Sequence, residues 1–119
     1  LKIFSNKMYK DLKSKKKAIN FMTTTVKCTS EAIKKSPAAV HVDKTARPQI
    51  ISKMNNLKIF NILKEYYKIS KIPNLINTSF NVHEEPIVCS PEDAIRAFKT
   101  SNLDYMYIED YVVMRKSLI

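Results

Sequence analysis

The chain has 119 residues, 45% of them hydrophobic, which suits one small domain or part of a larger one. No apolar run approaches the roughly 18 residues of a membrane helix, and two distant cysteines, Cys28 and Cys89, exclude a disulfide framework and fit a reduced, cytoplasmic setting. The net charge is +10, and the complete absence of glycine excludes every glycine-rich phosphate loop.

The chain starts at Leu1 with no signal-peptide pattern and reads as a fragment of a longer protein. Residues 1–20 form a Lys-rich lead-in, irregular or partly helical. Residues 1–35 hold ten Lys against two acids, a net of +8, while residues 36–119 hold eleven Lys and Arg against nine acids, a net of +2. The excess is densest at Lys13, Lys15, Lys16 and Lys17, with no interleaved aromatics to stack bases. That run therefore reads as a solvated face. Residues 21–28 are rich in β-branched types and predict a strand. Residues 29–38 predict a loop ending at Pro37, and residues 39–43 alternate as a strand. Pro48 forces an edge or a bend on the extended stretch 45–51.

Residues 57–70 are the best helix, with Leu57, Phe60, Leu63 and Tyr67 on an apolar stripe and Asn55 or Asn56 as cap. Residues 74–77 read as a short buried strand. Ser90-Pro91-Glu92-Asp93 is a helix start with the elements of a capping box, and the helix runs to about Lys99. Residues 104–108 and 111–114 are strands joined too tightly for a crossover helix. The order predicts an α/β layer with a twisted mixed sheet and helices. With no glycine, the breaks are expected at Asn55, Asn56, Asn74 and Asn102.

Three constellations could carry chemistry. The first is His41-Val42-Asp43-Lys44-Thr45-Ala46-Arg47. On a strand, His41, Asp43 and Thr45 share a face, and Thr45 with Arg47 makes an oxyanion or phosphate binder, Arg supplying a planar fork of donors. The second is Asn77-Thr78-Ser79-Phe80-Asn81, small polar donors following an apolar strand, where open α/β sheets bind ligands. The third is His83-Glu84-Glu85 with Cys89, an acid/base or metal-ligand grouping whose spacing matches no zinc motif. Each has a plain alternative: an edge strand with solvated side chains, a turn held by its own Asn and Ser groups, and an ordinary polar surface.

Together these segments resemble one family. Residues 39–49 are similar to its VHVDGTARPQ segment, residues 74–93 to NTSFNxxGEPIV followed by a PED helix start, and residues 103–113 to LDxLxxxDYxV. This is the C-terminal domain of carbamoyltransferases that act on nodulation factors and on antibiotic precursors such as those of tobramycin and cephamycin. The resemblance runs over about residues 20–115, and residues 21–119 are expected to be that domain after the lead-in. It implies a YrdC/Sua5-like fold, here as an incomplete domain, that binds ATP, with Mg2+, and carbamoyl phosphate and forms carbamoyl-adenylate. It further implies an N-terminal Kae1-like domain of the same protein, holding a metal, that passes the carbamoyl group to a hydroxyl. Arg47, Ser79 and Asn81 are the catalytic residues the resemblance implies, and Thr45, Arg47, Asn77, Ser79 and Asn81 the nucleotide-binding ones, with no metal ligand in this chain. The partners it implies are that domain and small-molecule substrates, with neither membrane nor nucleic acid. Lys44 and Glu85 stand where the family has glycine, so a positive φ at either would strain its turn.

Two other readings remain open on the sequence: a basic RNA-binding module, suggested by the +10 charge, and a degenerate, non-catalytic fragment.

Overall fold

The computed structural model describes residues 1–15 and 17–116; Lys16 of the lysine run and the last three residues of the expected domain lie outside them. The chain is a small α/β protein in two compact units, Leu1–Ile76 and a second beginning at Asn77.

In the first unit a short helix α1 (Ser5–Met8) and three single 3-10 turns lead to strand β1 (Val26–Lys27), helix α2 (Ser30–Lys35), strand β2 (Thr45–Ala46) and helix α3 (Leu57–Ser70). β1 pairs antiparallel with β2, Val26 opposite Ala46 and Lys27 opposite Thr45. Its other edge receives the lead-in through an antiparallel bridge between Tyr9 and Cys28. The bonds there run from the Lys10 N–H to the Lys27 carbonyl and from the Thr29 N–H to the Met8 carbonyl, each 2.9 Å. Val26 and Ala46 are buried, while Lys27 faces solvent and Thr45 is half-buried. Two apolar clusters lie behind them, Met8, Cys28, Ala32 and Ala46, and Leu12, Ile19, Val26 and Ile50.

In the second unit helix α4 (Pro91–Thr100) packs on the hairpin of β3 (Tyr105–Ile108) and β4 (Tyr111–Met114). Ala94 and Phe98 meet Met106, with Phe80, Val88, Ile108 and Val113 around them.

The helices α3 and α4 and the final hairpin follow the sequence reading. The Asn56 side chain caps α3 by accepting from the Ile59 N–H at 3.0 Å, and Ser90 caps α4 by accepting from Asp93 at 3.1 Å. Leu63 is the buried centre of the α3 stripe, but Leu57 lies off it and is 56% exposed.

Elsewhere the reading is corrected. One mixed sheet was expected; the described strands form two separate antiparallel pairs. The 21–28 strand shrinks to Val26–Lys27, because the chain before it turns and Thr23 donates back to the Ala18 carbonyl at 3.0 Å. The 29–38 loop contains α2, started by Thr29, whose hydroxyl oxygen accepts from the Ala32 N–H at 3.3 Å, with Glu31 in its first turn and Lys34 and Lys35 in its last. The 39–43 strand is a 3-10 turn followed by a tight turn. Residues 74–77 pair with no described strand, and Leu75 and Ile76 are exposed. The chain does break at Asn55, Asn56, Asn74 and Asn102, but without left-handed backbone, which among the described residues falls at Asp11, Met22, Lys44, Lys71, Glu84 and Glu109.

Candidate functional site

The first constellation is held by the turn that replaces the expected strand. The His41 N–H donates to the Thr45 carbonyl at 2.8 Å, and the Lys44 N–H to the His41 carbonyl at 2.9 Å. Inside this loop the Asp43 carboxylate accepts from the Thr45 N–H at 3.0 Å and from the Thr45 hydroxyl at 2.7 Å. The short Asp side chain satisfies the backbone two residues on, which favours a turn over a strand. The Thr45 hydroxyl, followed by its N–H, holds the Asp43 carboxyl below the usual aspartate range. His41 Nδ1 lies 3.0 Å from the same hydroxyl oxygen. That hydroxyl has one hydrogen, spent on Asp43, so His41 carries its proton on Nδ1 and donates. His41, Asp43 and Thr45 thus do come together, through a turn rather than along a strand face. Arg47 is exposed just beyond β2, with no hydrogen bond or ion pair among the described residues.

The second constellation is a clamp. Ser79 donates to Asn81 Oδ1 at 2.5 Å, and Asn81 Nδ2 donates to the carbonyls of Val82 and Glu85, each 2.9 Å. The Glu85 N–H closes a turn onto the Val82 carbonyl at 3.0 Å. Both amide hydrogens of Asn81 are therefore used in holding the 82–85 turn, and Ser79 is oriented by Asn81. Ser79 and Thr78 are exposed, as is Asn77, which has interactions of its own. Because residues 74–77 form no strand, the polar turn does not sit at a strand's carboxyl end.

The glycine-like position in this turn is Glu84, with φ 65°, at the third residue as in a type II turn, and not Glu85. Lys44, with φ 62°, is the other, as expected. The Glu85 carboxylate, at 2.7 and 3.0 Å from Arg96 on α4, is neutralised rather than turned toward a bound anion.

The third constellation disperses. His83 is almost fully exposed and 4.0 Å from Glu84. The Cys89 thiol donates to Asp93 at 3.3 Å, and that carboxylate pushes the thiol pKa up. No group of three or more His, Cys, Asp and Glu side chains that could hold a metal gathers among the described residues. No described helix is long and apolar enough to cross a membrane.

Sequence reasoning passed over Arg115. Its guanidinium donates to the carbonyls of Leu103 at 2.9 Å and Phe98 at 3.2 Å, and to that of Ser101, and lies 5.7 Å over the Phe98 ring. A lone arginine after a strand carries no signal that it will cap a helix in front of it.

Comparison with known proteins places these segments. An uncharacterised protein of Methanocaldococcus jannaschii is 39% identical over 95 residues, covering 80% of this chain and 18% of that protein. Nodulation protein NolO of Bradyrhizobium diazoefficiens is 39% identical over 79 residues, 66% of this chain and 14% of its own length. Nodulation protein U of Sinorhizobium fredii is 49% identical over 49 residues, 41% of this chain and 9% of that one. The chain spans less than a fifth of the length of these relatives. The family described as carbamoyltransferase C-terminus matches residues 2–115, nearly every position described above. The chain belongs to the carbamoyltransferase C-terminal family.

Proposed function

We propose that this chain supplies part of an O-carbamoyltransferase, with a YrdC/Sua5-like fold, that binds ATP and carbamoyl phosphate and forms carbamoyl-adenylate. An N-terminal Kae1-like domain then transfers the carbamoyl group to a hydroxyl. The observation that carries this reading is the family match over residues 2–115, which includes the His41 to Arg47 turn and the Ser79-Phe80-Asn81 clamp.

Adenylation builds negative charge on the α-phosphoryl oxygens as pyrophosphate leaves, so the protein's work is positioning and charge stabilisation. Arg47 suits that task because its fork of donors is uncommitted. Ser79 gives its single hydroxyl hydrogen to Asn81, and in this reading it turns that hydrogen to phosphate when the nucleotide binds. In this reading Asn81 orients Ser79 and does not itself face phosphate, since its amide hydrogens serve the turn. Thr45 acts likewise, fixing the loop before Arg47 through Asp43. Asn77 remains a nucleotide-binding residue of the proposal, as an exposed side chain two residues before Ser79. Mg2+ would accompany the nucleotide phosphates; among the described residues no group of three or more His, Cys, Asp and Glu side chains gathers to hold a metal.

Calorimetric titration of the chain with ATP, with and without carbamoyl phosphate, tests the reading. Binding that Arg47→Ala and Ser79→Ala each weaken by about tenfold or more fits charge-assisted hydrogen bonds to phosphate. ATP binding indifferent to both substitutions would refute it.

A second reading, an RNA-binding module, draws on charge. Residues 1–76 hold 17 Lys and Arg against four acids, a net of +13.

A further inference from the structure

The exposed side of the small sheet in the first unit gathers cations that the fold itself does not need. The register aligns three segments. Lys10 donates its N–H to the Lys27 carbonyl beside the Tyr9 to Cys28 bridge, so Lys10 lies directly opposite Lys27. On the other edge Lys27 lies opposite Thr45. Exposure alternates along both labelled strands: Thr25 and Lys27 face solvent around buried Val26, and Thr45 and Arg47 lie outward around buried Ala46. Lys10, Lys27, Thr45 and Arg47 therefore share one face. Continuing the register sets Arg47 opposite Thr25, whose carbonyl accepts from Lys15 Nζ at 2.6 Å.

Two lysines directly opposite each other on neighbouring strands repel, their Cβ atoms lying about 5 Å apart. No carboxylate among the described residues relieves them. Neither Lys10, Lys27 nor Arg47 has an ion-pair partner among the described residues. Asp43, the acid nearest in register, makes no ion pair among the described residues and is held to Thr45, whose N–H and hydroxyl both donate to its Oδ1. Asp11 follows Lys10 in the chain but is turned out of the strand by a left-handed φ of 58°. An anion is the missing partner of this row. Its span of a few residues suits one small phosphate ester rather than a long polyanion, and Phe21 is the only strongly exposed aromatic of the described first unit available for stacking a base chain.

We propose that this face is a phosphate-binding surface in which Lys10 and Lys27 extend the site that Arg47 begins. That the phosphate belongs to the nucleotide rests on the carbamoyltransferase reading; that the face binds a phosphate anion does not. Lys10 comes from the lead-in, so the lead-in is part of the binding surface.

The test is titration of the full chain with inorganic pyrophosphate and with ATP at low salt. The variants are Lys10→Gln, Lys27→Gln, their double substitution, and Lys64→Gln on α3 as a charge-matched control. The double variant should weaken pyrophosphate binding by about tenfold or more, as loss of charge-assisted contacts to phosphate does, while the control changes it less than about twofold. The variants should also melt no lower than the parent without ligand, since substitution removes a repulsion. A double variant that binds pyrophosphate as the parent does, a control that weakens it equally, or a parent that binds no pyrophosphate would each overturn the proposal. ATP binding lost in Arg47→Ala but intact in the double variant would sink this inference alone. Pyrophosphate binding that needs both lysines, with ATP binding indifferent to Arg47 and Ser79, would uphold it and sink the nucleotide reading.

Discussion

Lys44 and Glu84 hold left-handed backbone with full side chains, at φ 62° and 65°, in the two turns that carry the candidate residues. A non-glycine residue there costs about 1 kcal/mol or more. Lys44→Gly and Glu84→Gly are therefore expected to stabilise the protein, each by about 0.5 to 1 kcal/mol after the extra entropy of glycine is subtracted. A urea midpoint that rises for both variants is the expected outcome; a fall would mean that the side chains make the turns. Asp43 gives a pH prediction of definite sign. Its carboxyl is held below the ordinary 3.8 by the Thr45 hydroxyl and N–H, so its stabilising contribution is present above that value and is lost as pH falls through the lowered one. Comparing the parent with Asp43→Asn, the difference in urea midpoint should be largest at neutral pH and shrink as pH falls through and below the ordinary aspartate range. A difference that does not change with pH would remove the charged carboxylate from the account of this turn. At this scale the sequence was partly legible. Lys44 stood out as a side chain in a glycine's place, but the second such residue was taken as Glu85, one position late. The hydrogen bonds that tie Asn81 and Thr45 into their turns are products of folded geometry and leave no pattern in composition.

Helices were legible where their caps were. Asn56 before α3, and Ser90 with Pro91 before α4, announce helix starts by chemistry local in sequence. Thr29 with Glu31 announced α2 as well, but six residues are too few for an apolar period to show. Strands were legible only in the hairpin, whose two halves pair with each other across a two-residue turn. The strands expected at 21–28 and 39–43 depend on partners remote in sequence, and local turns form instead: Thr23 donates back to the Ala18 carbonyl, and the N–H groups of Ala39, Val40 and His41 go to the carbonyls of Ser36, Pro37 and Thr45. The second unit also depends on Arg115, which fastens the end of β4 to the open carbonyls at the end of α4. Losing such a cluster of charged hydrogen bonds should cost about 2 kcal/mol. Arg115→Ala is expected to lower the thermal midpoint, and Arg115→Lys to recover less than half of the loss, because one ammonium cannot span the same carbonyls as a planar fork. Full recovery by lysine would reduce the role of Arg115 to charge at a helix end.

Over the whole molecule charge divides with the fold. Residues 1–76 carry a net +13, while residues 77–119 hold four Lys and Arg against seven acids, a net of −3. Counting the excess from the lead-in alone hid this, because the division follows the unit boundary at Asn77 and not the end of the lysine run. The division bears on the choice between a nucleotide enzyme and an RNA binder. Single-stranded RNA is held by a basic groove interleaved with exposed aromatic rings. Here the exposed tyrosines are Tyr105, Tyr107 and Tyr111, and all three lie in the acidic unit. The basic unit has lysines, and its described Tyr9, Tyr66 and Tyr67 are partly buried. Cations with Phe21 as the one strongly exposed ring among the described residues of that unit give attachment mainly through phosphate, which weakens steeply as salt rises. The chain is therefore expected to bind a single-stranded RNA homopolymer only at low ionic strength, with no preference among bases, and to release it by about 0.2 M salt. ATP, held by directed donors such as Arg47, should retain measurable binding in the same buffer. Fluorescence anisotropy with labelled RNA, beside calorimetry with ATP across a salt series, separates the two. RNA binding that persists at high salt and depends on Tyr105 or Tyr107 would overturn the carbamoyltransferase reading of the site, because it would show bases stacked on the hairpin and the acidic unit taking part in holding a polyanion.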